Sequence, residues 1–118
     1  MSFIHLEDAI LENSNLVAAK LNEGHLQRCN LQGAVLTQAR LEKSNLSNSN
    51  LENAKLSNAV FIKSDLTEAN LRNSRLDNVD FSGAILKFTH LESASLVGAI
   101  ISGVDMSSIT QDSQTVLP

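Results

Sequence analysis

Residues 41–60 read LEKSNLSNSNLENAKLSNAV, and in this stretch Leu41, Leu46, Leu51 and Leu56 recur at every fifth place. Extended in both directions, the same grid runs from Leu6 to Met106 for twenty-one consecutive steps, seventeen of them Leu and the others Phe61, Phe81, Ile101 and Met106. Two places before each of these central residues stands a small one, as in Ala9, Ser14, Gly24, Cys29 and Ala54; Ile4, Val79 and Val104 are the exceptions. Immediately before the centre, Asn or Asp occurs eight times, Asn15, Asn45 and Asp65 among them.

A period of five suits neither regular element. On a helix, successive centres would rotate by about 140° and scatter apolar groups around the cylinder. On a continuous strand, an odd period sends alternate centres to opposite faces. The chain must therefore turn once per repeat, so that every centre faces one interior, and short fixed self-similarity is the mark of a stacked repeat fold. The turn chemistry agrees. Two places after the centre, Asn or Gly stands in ten of the twenty-one repeats, including Asn13, Asn48, Gly33 and Gly98. A type II turn needs positive φ at that residue, which Gly and Asn tolerate best. Glu23, Arg28 and Phe88 at the same place point to another turn type there.

The small-Asn-Leu-x-x pattern resembles the pentapeptide repeat family over about 100 of the 118 residues. The resemblance implies an all-β fold: a right-handed quadrilateral β-helix, a solenoid of about five coils with four repeats in each. It also implies a family common in cyanobacteria. With four repeats per coil, residues twenty apart stack. Leu26, Leu46 and Leu66 then share one interior column, and Leu41, Phe61 and Phe81 another, with the two rings directly superposed. At about 4.8 Å per coil the rod is roughly 25 Å long.

The chain reads as one domain, with a repeat body over 1–108 and a Ser-, Thr- and Gln-containing tail over 109–118 that breaks the grid at Gln111. Met1, Phe3 and Ile4 are placed to cover the first coil or to meet a partner. No basic-then-apolar leader and no apolar run of about 18 residues is visible, so a soluble cytoplasmic protein without membrane association is expected. A single cysteine excludes an intrachain disulfide, and Cys29 falls on a small inward place, where a buried inert thiol is expected.

Catalytic constellations are absent from the pattern. Ser14, Ser44, Ser49, Ser64 and Ser74 occupy inward places rather than standing beside a base, and there is no phosphate loop, dinucleotide fingerprint or paired-Cys zinc motif. His5 and His25 stack on one wall, but two imidazoles fall short of the three or four ligands that a metal usually needs. His90 lies on another wall beside Glu92. A stack filled by its own side chains leaves no interior pocket, so neither enzyme activity nor a cofactor is expected.

What remains is the outside. Val35, Val60, Ile62, Ile85, Phe88, Val97 and Ile100 are apolar at outward places, and Ile85, Phe88, Val97 and Ile100 lie close in sequence, a candidate interaction surface. The walls centred on Leu6 and Leu11 carry net charges of −3 and −2, and the other two +1 each. A structural or protein-interaction module, using walls or ends and able to pair end to end as a homodimer, is the leading reading. The resemblance supplies an alternative, because some family members mimic DNA and bind gyrase, a type II topoisomerase. Duplex DNA presents about one charge per 1.7 Å, so a 25 Å mimic needs roughly 15 negative charges. The whole chain has a net charge of −4 and lacks a basic patch for direct nucleic-acid binding.

Overall fold

The computed structural model describes residues 3–118; Met1 lies outside them. Each residue preceding a centre is joined by a parallel bridge to the one twenty places later, from His5–His25 through Asn45–Asp65 to Asp80–Ile100. Four repeats therefore complete one coil, and the chain makes four walls. Wall 1 carries Leu6 and its stacked equivalents, wall 2 Leu11, wall 3 Leu16 and wall 4 Leu21.

The corners are uniform. Two places after the centre, φ is positive in twenty successive repeats, from Asp8 at 61° to Gly103 at 72°. The next N–H returns to the carbonyl of the centre, as Ala54 N–H does to Leu51 at 3.0 Å. Glu23, Arg28 and Phe88 do not turn differently; their φ values are 57°, 57° and 56°. The left-handed conformation costs an L-residue roughly 1–2 kcal/mol, and it is held because the same residue's N–H bonds the neighbouring coil, as Arg28 N–H does to Ser47 O at 3.1 Å.

A full accounting of the backbone explains the consensus Asn. In the regular repeats the N–H of the residue before the centre donates to the previous coil. The N–H groups of the centre and of the corner residue donate to the next, and the small residue's N–H closes the turn. Only the N–H just after the centre lacks a backbone acceptor. All eight Asn and Asp residues before a centre (15, 30, 45, 50, 65, 70, 80 and 105) place Oδ1 on that N–H, at 2.9–3.1 Å. Such side-chain bonds to a nearby N–H are what these residue types do at turns.

Centres fill the axis. Leu26, Leu46, Leu66 and Leu41 are fully buried, and Phe61 and Phe81 stack with centroids 5.5 Å apart at 26°. Inward serines satisfy themselves locally. Ser44, Ser49, Ser64 and Ser74 each donate to the carbonyl three residues back at 2.6–2.8 Å, whereas the buried Ser14 Oγ has no partner. Gly24 is small for a visible reason: a Cβ there would stand 2.9 Å from Ile4 Cγ2, which lies over it, and 2.9 Å from Leu21 O.

The two ends differ from the middle. Leu6, Leu11 and Leu16 are only half-buried against the core, and Ile10 is 81% exposed. At the other end pairing continues past residue 108: Thr110 pairs with His90, and Val116 pairs with Ser95 at a spacing of twenty-one rather than twenty. Asp112 Oδ1 accepts the Ser93 N–H at 2.9 Å, and Leu96 N–H donates to Val116 O at 2.7 Å. The body measures 39 × 27 × 22 Å, longer than the strand-spacing estimate, which omits side chains and this added partial coil.

Candidate interaction surface

The interior offers nothing reactive. Cys29 is 1% exposed, and burial pushes its thiol up to about 11, far from a reactive thiolate at neutral pH. Thr89, the other hydroxyl at an inward place, donates to Leu66 O at 2.8 Å. Whatever distinguishes this chain from a plain solenoid stands on its outer walls.

The four outward apolar residues singled out from the sequence do not form one patch. All belong to the same coil and are about half exposed, but the register distributes them: Ile85 and Phe88 on wall 1, Val97 on the opposite wall 3, Ile100 on wall 4. Ile85 and Phe88 are therefore the pair that the fold brings to a single wall. Lys87 stands between them with Nζ 5.4 Å from the centre of the Phe88 ring.

Next to this pair the ladder opens. Leu66 N–H donates to Ile85 O at 2.8 Å, and the equivalent bond one coil on, from Leu86 N–H to Asp105 O, is not formed. Asp105 N–H likewise makes no bond to Ala84 O, and Phe88 N–H turns to the Ser108 hydroxyl at 3.0 Å. The gap is a half-open cleft of about 480 Å³, lined by Ile85, Leu86 and Lys87 on one side and Asp105, Ser107 and Ser108 on the other. The sixth repeat of the wall departs from the others here. Ile109 stands where this wall otherwise carries Ala9, Cys29, Ser49, Ala69 and Thr89, and the turn bond from its N–H to Met106 O is missing.

Polar groups collect in two further places. On wall 1, His5 and His25 stack at 4.7 Å, and Glu7 stands 3.0 Å from His5 Nδ1 and 3.9 Å from His25 Nδ1. The hydrogen bond from His5 holds the Glu7 carboxyl below its ordinary value. The histidine pair was legible from the twenty-residue stack; the third group was not, because Glu7 reaches it through its side-chain conformation. On wall 2, Arg72 bonds Glu92 at 2.6 Å and His90 Nδ1 at 3.0 Å, and Thr110 contacts both Glu92 and His90. Partial burial pushes Glu92 up, but the bonds from Thr110 and Arg72 outweigh it and leave the carboxyl below its ordinary value. On the adjoining corner, Asp8 and Arg28 form a two-pronged pair at 2.8 and 3.0 Å. With Arg40–Glu42, these make three Arg–carboxylate pairs among the described residues.

A sequence model of the pentapeptide repeat region matches residues 4–81, and one of eight pentapeptide repeats matches residues 74–109. The chain is a pentapeptide repeat protein. The fold of the family is the right-handed quadrilateral β-helix, and a solved relative carries it across almost the whole chain. That relative, the pentapeptide repeat protein Rfr23 of the cyanobacterium Cyanothece 51142, is 26% identical and superposes with a TM-score of 0.78 over 98% of this chain and 88% of its own. A pentapeptide repeat protein of the Arabidopsis thaliana thylakoid lumen is 27% identical, with a TM-score of 0.50 over 80% of this chain and 59% of its own. Among curated protein sequences no match was found. Pentapeptide repeat proteins are generally structural, non-enzymatic repeats. Among the described residues no helix is long and apolar enough to cross a membrane.

Proposed function

We propose that this pentapeptide repeat protein is a non-enzymatic cytoplasmic module that docks a partner protein on wall 1, with Ile85 and Phe88 as its anchors. The observation that carries the proposal is Phe88. An aromatic residue at φ 56°, half exposed, occupies a corner where Gly or Asn would be less strained. Left-handed φ is common to the corners from Asp8 to Gly103, so what singles out Phe88 is its large, half-exposed ring, and aromatic anchors are enriched at the centres of protein interfaces. Ile85 beside it and the adjoining cleft supply an apolar neighbour and a recess. The unpaired Leu86 and Asp105 N–H groups supply donors to which a partner's carbonyls can bond.

Photo-crosslinking in cells that make the protein tests this. A benzoyl-phenylalanine at position 88 is expected to give one dominant protein adduct, and the same probe at position 48, on the same wall two coils away, none. Binding of the identified partner to the purified chain should then fall at least about tenfold with Ile85→Ser and Phe88→Ser combined. Adducts of equal yield at both positions, or none, overturn the proposal. An adduct with a second copy of this chain would assign wall 1 to self-association instead of the end-to-end pairing considered from the sequence. Inhibition of gyrase supercoiling by the unmodified protein would favour the DNA-mimic alternative.

A further inference from the structure

The His5, Glu7 and His25 cluster lies at the opposite end of wall 1 from the cleft, and the docking proposal leaves it unused. Its geometry is set by the repeat itself. His5 and His25 occupy equivalent places one coil apart and are joined by a parallel bridge, so the backbone holds their spacing. The rings lie 4.7 Å apart and within 6° of parallel. Glu7 follows His5 by two residues and leaves the same wall. Its Oε1 is the acceptor that both Nδ1 atoms face, at 3.0 and 3.9 Å.

The candidate ligand atoms of the three residues all lie within 4.8 Å of one another. Ligand atoms bonded to a tetrahedral zinc ion at about 2.0–2.2 Å stand roughly 3.3–3.6 Å from each other. The histidine–carboxylate separations already fall on either side of that value. Closure then requires the two rings to tilt toward a common point, with no movement of the coils. The side chains are free to do so: those of His5 and His25 are 66% and 39% exposed. Gln27 stacks directly on Glu7 in the same wall, and its Oε1 is buried without a hydrogen-bond partner. A metal-bound water would supply a donor on that side of the cluster. Arg28, on the adjoining corner, is held by both carboxylate oxygens of Asp8, so its charge is largely compensated at the site.

We infer that His5, Glu7 and His25 form a binding site for one divalent transition-metal ion of the kind that takes imidazole and carboxylate ligands, with water completing the coordination. Zinc is the reference ion for such a mixed nitrogen and oxygen set. Metal binding takes the Nδ1 lone pair of a neutral ring, whose single proton then sits on Nε2, so the ion replaces the hydrogen bond between His5 and Glu7 and ties the first coil to the second across their hydrogen-bond ladder.

The full chain without any histidine tag, titrated with Zn²⁺ at pH 7.5 and followed by calorimetry and by histidine side-chain NMR, tests the site. The expected result is one ion per chain, bound below about 100 µM. Shifts should be confined to the His5 and His25 rings, and the melting temperature should rise as metal is added. His5→Ala and His25→Ala should each weaken binding at least about tenfold, Glu7→Gln should weaken it in the same direction, and His90→Ala should leave it unchanged. Both histidines are solvent-facing, so these variants are expected to keep the far-ultraviolet circular dichroism of the parent. No binding at millimolar Zn²⁺, binding that survives loss of both histidines, or shifts centred on His90 would overturn the assignment.

Discussion

Wall 1 at Leu66 and wall 1 at Leu86 are the same place in the repeat, one coil apart, and they behave differently. At Leu66 the ladder is complete: its N–H meets Ile85 O, the corner closes, and the side chain is fully buried. At Leu86 the side chain is still 1% exposed, yet its N–H has lost the partner in the next coil. Burial of the centre and completion of the ladder are thus separable. Apolar register carries the first; the second fails where the next coil departs from the repeat, between Asp105 and Ile109. There Ile109 stands at the inward place and its N–H makes no turn bond to Met106 O, whereas Val79, also bulky and inward, sits in a complete ladder.

The largest test of this contrast is side-chain truncation at two places in one column. Leu66→Ala should cost about 2–5 kcal/mol in chemical denaturation, whereas Met106→Ala, half-buried in the loosened coil, should cost under about 1 kcal/mol. Equal losses would mean that the last coil is as tightly packed as the middle. Removal of residues 111–118 comes next. It strips Leu96 N–H of Val116 O, at roughly 1–3 kcal/mol for a buried donor left unpaired, and removes one of two donors to Leu91 O, which keeps the Ala94 N–H. An unchanged melting temperature would show that residues 109–118, which we propose cap the stack, do no such work.

Ile109→Ala sharpens the comparison further. If the bulky inward residue holds the coils apart, the shorter side chain should let the Leu86 amide find its acceptor. Its hydrogen exchange should slow toward that of Leu66, and partner binding at the cleft should weaken. Phe88→Gly should raise stability by about 1 kcal/mol by removing left-handed strain while reducing partner binding, so opposite signs in the two assays are the signature. The smallest effect is in acid. The Ser93 N–H bonded to Asp112 holds that carboxyl below its ordinary 3.8. A lowered carboxylate stabilises the fold above its unfolded value and loses that contribution as pH falls through the folded one. The Ser93 amide should therefore keep its shift at pH 4.5 and lose it only below 3.8, and Asp112→Asn should show no such transition.

Much of the fold was legible because one physical demand, a buried centre every fifth residue, repeats without interruption. The superposition of Phe61 on Phe81 follows from the twenty-residue coil and is what the structure shows. The corners were less legible. Gly and Asn marked ten of them by local preference, while Arg28, Lys63 and Phe88 take the same φ against theirs, since bonds between coils override intrinsic cost. The grouping of Ile85, Phe88, Val97 and Ile100 by nearness in sequence separates in space, because fifteen residues are three walls. The cleft depends on a bond that fails to form, and no residue type signals that. Glu7 became the third member of its cluster through a side-chain torsion that periodicity does not carry.

The parallel bridges, all but the last spanning twenty residues, also dictate how the body would come apart under tension. A pull on the two termini loads the end coils first, and an end coil shares an interface with one neighbour only. Extension would proceed by peeling, each event releasing twenty residues, roughly 66–72 Å of contour length. A force trace with evenly spaced teeth, the weakest belonging to the coil beyond Leu86, is the mechanical fingerprint of a chain whose contacts all reach the same distance along itself.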